Sequence, residues 1–168
     1  MKKNLLFLSL AMFAFTTVFA QKPSPKVTAE GKNMSVVYGQ PSKRDRVIFG
    51  KEGSGSLEPY GKVWRTGANE ATEITFKKDV MFGGKPVKAG TYTLFSIPGE
   101  KEWTVILNSV LKQSGAFGYD KVKDKNVAEV KVPTKNYGTS AEKLMFDVND
   151  DKKLVFQWDK QGFEVPIK

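Results

Sequence analysis

The sequence predicts an all-β protein, an antiparallel β-sandwich, jelly-roll-like or meandering, of about ten short strands. Three observations carry this prediction. Beyond residue 20, apolar and polar residues alternate with period two along most of the chain, the spacing of strands with one buried face. Turn-forming Gly, Pro, Asn and Asp recur every few residues between these runs. No segment carries an apolar stripe at helical spacing, which excludes a parallel sheet crossed by helices.

The first twenty residues differ in kind from the rest. Met1-Lys2-Lys3 is a short basic start, Leu5 to Val18 is uncharged and apolar, and Val18-Phe19-Ala20 places small residues three and one positions before Gln21. This is the pattern of a secretory signal peptide cleaved before Gln21, so residues 21–168 are expected to form one domain, periplasmic or extracellular. The apolar run is too short for a hydrocarbon core of about 30 Å, and no later segment is long enough to span one. No cysteine sits at the junction, as a lipid anchor would require.

The elements follow in order. Lys26 to Ala29 and Met34 to Tyr38 flank Glu30-Gly31-Lys32-Asn33 as a hairpin, and Val47 to Phe49 is a brief strand. Gly50 to Ser56 is a loop whose Gly53-Ser54-Gly55 lacks the lysine and following helix of a phosphate loop. Thr72 to Phe76, Val80 to Phe82, Pro86-Val87, Thr91 to Ile97 and Trp103 to Leu107 form a meander. Gly83-Gly84 suits a primed hairpin turn; Pro98-Gly99 suggests a turn with glycine at positive φ. Gln113 to Lys125 reads as a long loop or a single helical turn. Three terminal strands are expected at Leu144 to Val148, Leu154 to Trp158 and Phe163 to Ile167, joined by Asn149-Asp150-Asp151 and by a tight turn at Asp159-Lys160-Gln161-Gly162. Pro166 cannot donate to a ladder, so the last strand is an edge or ends there. Trp103 and Trp158 fall on inward faces and belong to the core.

Composition narrows the chemistry. With no histidine and no cysteine, the chain cannot host a His-assisted serine, a thiol nucleophile, a disulfide, or a zinc or copper site with His or Cys ligands. The acids at 149–151 lack the spacing and distal glutamate of a calcium loop. No metal, no cofactor and no catalytic residue is assigned. Loss of the two signal lysines lowers the formal charge from +9 to +7, an excess that suits anionic partners. The positive residues are dispersed among acids, and only three of the 27 are arginine, so nucleic acid is not an expected partner. Asn33-Met34-Ser35 matches a glycosylation sequon by chance.

Those three arginines, Arg44, Arg46 and Arg65, all lie between residues 44 and 65. In a lysine-rich chain, arginine marks positions where a rigid planar fork is needed. Two readings follow. In one, Arg65 pairs with Glu70 across a tight turn and the cluster is scaffold. In the other, Arg65, Asn69 and Glu70 converge with Tyr38, Tyr60, Ser42, Arg44 and the flat face of Trp64 on a polar ligand such as a sugar, a carboxylate or a peptide terminus.

Tyr38-Gly39-Gln40-Pro41-Ser42 with Arg46 and Phe49-Gly50, then Pro59-Tyr60-Gly61-Lys62-Val63-Trp64-Arg65-Thr66-Gly67-Ala68-Asn69-Glu70-Ala71-Thr72, and Ala89-Gly90-Thr91-Tyr92 followed by Ile97-Pro98-Gly99 and Trp103-Thr104, are specific when taken together. On them the chain resembles the secreted bacterial domain-of-unknown-function family numbered twenty-nine eleven, over most of its length after residue 20. The resemblance implies an envelope protein and carries no catalytic residues with it. The expected function is therefore a non-catalytic binding module for a polar small molecule, a glycan or an envelope protein. The alternatives are a carboxylate-dependent hydrolase using Glu70 with Arg65, or a structural envelope component.

Overall fold

The computed structural model describes residues 22–148 and 152–168. The expected signal segment 1–20, Gln21 and the Asn149-Asp150-Asp151 turn lie outside the described residues. The protein is all-β, with a single four-residue helix at Tyr119–Val122 and a 3-10 turn at Lys123–Lys125 among the described residues. No helix among them is long and apolar enough to cross a membrane.

One layer is a six-stranded antiparallel sheet. It comprises β1 (Lys26–Glu30), β2 (Met34–Gly39), β5 (Thr72–Phe76), β8 (Gly90–Ile97), β9 (Glu102–Asn108) and β10 (Asn126–Pro133), in that spatial order. Each neighbour is the next strand of the layer in sequence, so short turns or local excursions suffice to connect them. The excursion between β2 and β5 holds β3 (Phe49–Gly50) and β4 (Glu58–Pro59), and that between β5 and β8 holds the hairpin of β6 (Val80–Phe82) and β7 (Lys85–Val87). Gly83 and Gly84 both take positive φ in the β6–β7 turn, as a primed turn demands.

The second layer is a long hairpin of β11 (Lys135–Asp147) and β12 (Lys153–Pro166), extended by β6 through the Phe82–Ile167 bridge. Met34, Val36, Ile74, Leu94, Trp103 and Val105 from the first layer pack against Leu144, Phe146, Leu154, Phe156, Phe163 and Val165 from the second. Aromatic rings dominate the seam: Trp103 lies 5.5 Å from Phe156 and 5.3 Å from Phe163, and Tyr38 meets Phe146 edge-on at 5.0 Å. Trp103 is fully buried, so truncating it to alanine should cost about 3–5 kcal/mol. A smaller cluster of Ala71, Phe95 and Ile106 lies beneath Tyr119, whose ring meets Phe95 at 5.1 Å.

Three expectations are corrected, and a stretch given no element in advance, Asn126–Pro133, is a strand. Residues 153–166 are one strand, with no turn at 159–162: Gln161 and Gly162 pair with Asn136 and Lys135, and two register shifts with Asp159 at φ 52° absorb the bend. β12 does end at Pro166. Gly99 does not take positive φ; a side chain there would strike the Glu102 carbonyl, so glycine is required by close approach. β10 is a full strand that buries Ala128, Val130 and Val132 between exposed charges. The Val47–Phe49 segment survives only as the two-residue β3, which pairs in parallel with β4.

Candidate functional site

Three pieces of irregular chain meet at one end of the layers. The first is the Ser42–Val47 crossing, held to β11 by the Ser42–Lys143 bridge and by Lys43 N–H donating to Glu142 O at 2.7 Å. It turns at Arg44 and Asp45, both with positive φ (51° and 57°), closed by Arg46 N–H to Lys43 O at 3.2 Å. Positive φ is ordinary for aspartate and costly for arginine, so this turn presents the Arg44 side chain at some expense in backbone energy. The second piece is β4, where Glu58 N–H donates to Ile48 O at 2.8 Å and fixes the acid beside β3.

The third is the loop from Trp64 to Thr72. Trp64 docks on β8 by a two-way backbone bridge with Ser96 (2.7 and 2.9 Å), and the loop closes through Thr72 N–H to Arg65 O and Thr72 Oγ1 to Thr66 O. Asn69, at φ 63°, accepts Arg65 Nη1 on its carbonyl at 2.8 Å. Its side-chain amide donates to Ser24 O at 2.8 Å. Gln40 N–H donates to Pro25 O at 2.8 Å, so the 22–25 segment is fastened across this end and becomes a wall.

Two cavities open beside that wall, with Pro23 and Ala68 common to both. The smaller, about 470 Å³, is lined by all three arginines, Lys22, Glu58, Ser24, Gln40, Ser42 and Trp158. Its size lies within the range of small-molecule sites. Two of the three guanidiniums are held by carbonyls. Arg46 donates from Nε to Lys43 O (2.9 Å) and from Nη2 to Ser42 O (2.6 Å), while Arg65 donates from Nη1 to Asn69 O and, at 3.4 Å, to Ser114 O. Among the described residues no carboxylate comes within ion-pair distance of any of the three. Carbonyls orient a guanidinium without neutralising it, so the positive charge remains available to a ligand.

Glu58 is half-buried and is the one acid lining this cavity. Its carboxylate forms no hydrogen bond or ion pair among the described residues. Burial pushes its pKa up to about 7, with the Arg65 and then the Arg46 charge pulling weakly the other way. Near neutral pH this carboxyl is poised between its two protonation states.

The larger cavity, about 630 Å³, is lined by Lys26, Tyr38, Asn69, Glu70, Glu73 and Lys112 among others. Here Lys26 and both acids are engaged. Glu70 pairs with Lys26 at 3.2 Å, and Glu73 accepts the Lys112 backbone N–H at 3.0 Å.

The structure thus divides the residues that the sequence places together. Ser42, Arg44 and Arg65 line the smaller cavity; Tyr38, Asn69 and Glu70 line the larger. The Arg65–Glu70 pair does not form, because Glu70 is taken by Lys26. Trp64 is core, only 4 % exposed and stacked on Trp158 at 6.0 Å and 15°, with its Nε1–H lacking an acceptor among the described residues. Tyr60 turns its hydroxyl to Gln161 at 3.1 Å. Arg46, outside the set that the sequence suggests converges on a ligand, joins the site. Glu58 was not singled out at all, although it is the only acid between Glu52 and Glu70 in a stretch rich in Gly, Ser and aromatic residues.

With this geometry established, the family model described as "Protein of unknown function (DUF2911)" matches residues 21–167. The chain belongs to the DUF2911 family. No curated protein and no solved structure matches it. In this DUF2911 chain the matched span contains every residue of both cavities, so the arginine corner lies within the family's own fold.

Proposed function

We propose that this protein is an exported, non-catalytic binding module whose ligand is a small polar anion, a carboxylate-bearing molecule such as an acidic sugar, held in the smaller cavity. One observation carries the reading: all three arginines of a lysine-rich chain line a single cavity, Arg46 and Arg65 are oriented there by carbonyls, and none of the three forms an ion pair with an acid among the described residues. Guanidinium is the group of choice for gripping a carboxylate by two parallel hydrogen bonds. Ser24, Ser42 and Gln40 add hydroxyl and amide partners of the kind a sugar ring uses, and exposed Leu57 adds an apolar surface. Export is supported by the basic start, apolar run and small-residue junction of residues 1–20. The existence of the cavity favours binding over a purely structural envelope role, and the capture of Glu70 by Lys26 removes the support for a hydrolase built on Glu70 and Arg65.

Isothermal titration with glucuronate and with glucose tests the reading. Glucuronate is expected to bind and neutral glucose to bind far more weakly, and Arg65→Ala should lose the glucuronate signal while its circular dichroism stays that of the parent. Equal affinity for the two sugars, or a folded Arg65→Ala that still binds, would count against it.

A further inference from the structure

We propose that the arginine cavity takes up its carboxylate ligand together with one proton, carried by Glu58 and shared with the ligand as an acid–carboxylate hydrogen bond. The inference rests on the anion-binding reading above and adds a mode of recognition and a pH dependence to it.

The geometry is that of a carboxyl placed inside an anion site. The charged groups that face Glu58 are Arg44 and Arg46 from the 42–47 crossing, Arg65 from the 64–72 loop and Lys22 from the N-terminal segment. Asp159, next in sequence to cavity-lining Trp158, is engaged elsewhere, accepting from Lys43 Nζ at 2.9 Å and from Ser140 Oγ at 2.6 Å. Glu58 is therefore the one carboxyl lining this cavity, and the guanidiniums around it do not lose their own protons.

An ionised Glu58 and a ligand carboxylate in the same cavity repel each other, as two carboxylates sharing a site do, and one is driven to protonate. The ligand's carboxylate has the fork to compensate it: among the described residues, Arg65 spends only Nη1, which leaves the Nε–Nη2 edge for a bidentate grip. Glu58 has nothing equivalent. It has no donor of its own among the described residues, and burial already favours its neutral form. The proton therefore settles on Glu58, whose O–H then donates to the bound carboxylate. The balance is simple: the ligand enters as an anion, one proton comes from solvent, and no covalent bond changes.

The test is proton counting during glucuronate titration. Binding enthalpies in pairs of amine buffers of different ionisation enthalpy, Tris and triethanolamine at about pH 8 and Bis-Tris and piperazine at about pH 5.5, whose acid forms are cations that do not compete for the cavity, give the protons taken up per ligand. At about pH 8 the expected uptake approaches one proton, and it falls toward zero at about pH 5.5, where Glu58 is already neutral. The apparent Kd should be flat below about pH 7 and weaken about tenfold per pH unit above it. Glu58→Gln, which keeps a donor and removes the titration, should bind with no pH slope and no proton uptake. Binding without proton uptake at about pH 8, or an unchanged slope in folded Glu58→Gln, overturns this inference and leaves the anion site standing. Failure of glucuronate to bind at either pH overturns the anion site and this inference together.

Discussion

The two cavities that share the Pro23–Ala68 wall make an instructive pair. The larger holds as many charged side chains as the smaller needs for a site, yet its Lys26 and Glu70 bind each other and its Glu73 is used by backbone. The smaller holds three guanidiniums and a carboxyl, none of which is paired within the described residues. Volume would choose the first cavity. Unspent charge chooses the second, because a group already satisfied by its neighbour has little to offer a ligand.

The contrast can be broken most directly at the arginines. Each charge-assisted hydrogen bond is worth about 1.5–3 kcal/mol, so Arg46→Ala with Arg65→Ala should weaken glucuronate binding by about 100-fold or more. Lys26→Ala with Glu70→Ala, in the neighbouring cavity, should leave it within about twofold. Titration calorimetry on both double variants decides between one site and a diffuse basic end.

Stability offers a second contrast. Glu58 binds its proton more tightly folded than unfolded, so its contribution is greatest below about pH 4.5 and is lost as pH rises toward about 7. By then ionised Glu58 costs the fold about 3 kcal/mol, and Glu58→Gln should recover about 2–3 kcal/mol near pH 8 and almost nothing near pH 4. Glu70→Gln should change stability by less than about 1 kcal/mol, because its pair with Lys26 lies in solvent. Urea unfolding of both variants at the two pH values gives the comparison; a pH-independent Glu58→Gln effect would contradict the buried, unpaired carboxyl.

A smaller effect concerns the wall. Asn69→Ala loses both the Ser24 hydrogen bond and a residue that tolerates positive φ, at a cost of about 1–3 kcal/mol. Asn69→Gly keeps the backbone and loses only the bond, costing about 1 kcal/mol. Faster hydrogen exchange of the Gln40 amide, which bonds Pro25 O, would report the loosened wall in both.

How much of this was legible in the sequence follows from which forces act locally. β1, β2, β5, β6, β8 and β9 show period-two alternation bounded by turn residues, and each is found within a residue or two of its expected span. β10 was obscured because charged residues occupy its outward face beside a lysine-rich run. The first half of β11 is polar and exposed, and only its partner makes it a strand. The Asp159–Gly162 stretch looks like a turn by composition, but a register shift against β11 lets the chain continue. At the site, the scarcity of arginine pointed to the right corner. Glu58 could not be seen, because its distinction lies in desolvation and in chain segments brought together from 22–25, 42–47 and 64–72, none of which is a local property.

That scarcity also supplies the most direct measurement. With three arginines in the chain, the side-chain Nε–H region of a nitrogen–proton correlation spectrum should contain three signals, all from the proposed site. On titration with glucuronate at about pH 6, where the linkage leaves the cavity receptive, the Arg46 and Arg65 signals should move together and saturate, and glucose should leave them in place. Arginine signals that stay fixed while glucuronate shifts the amides of Lys26, Glu70 and Lys112 would place the ligand in the other cavity and contradict the account.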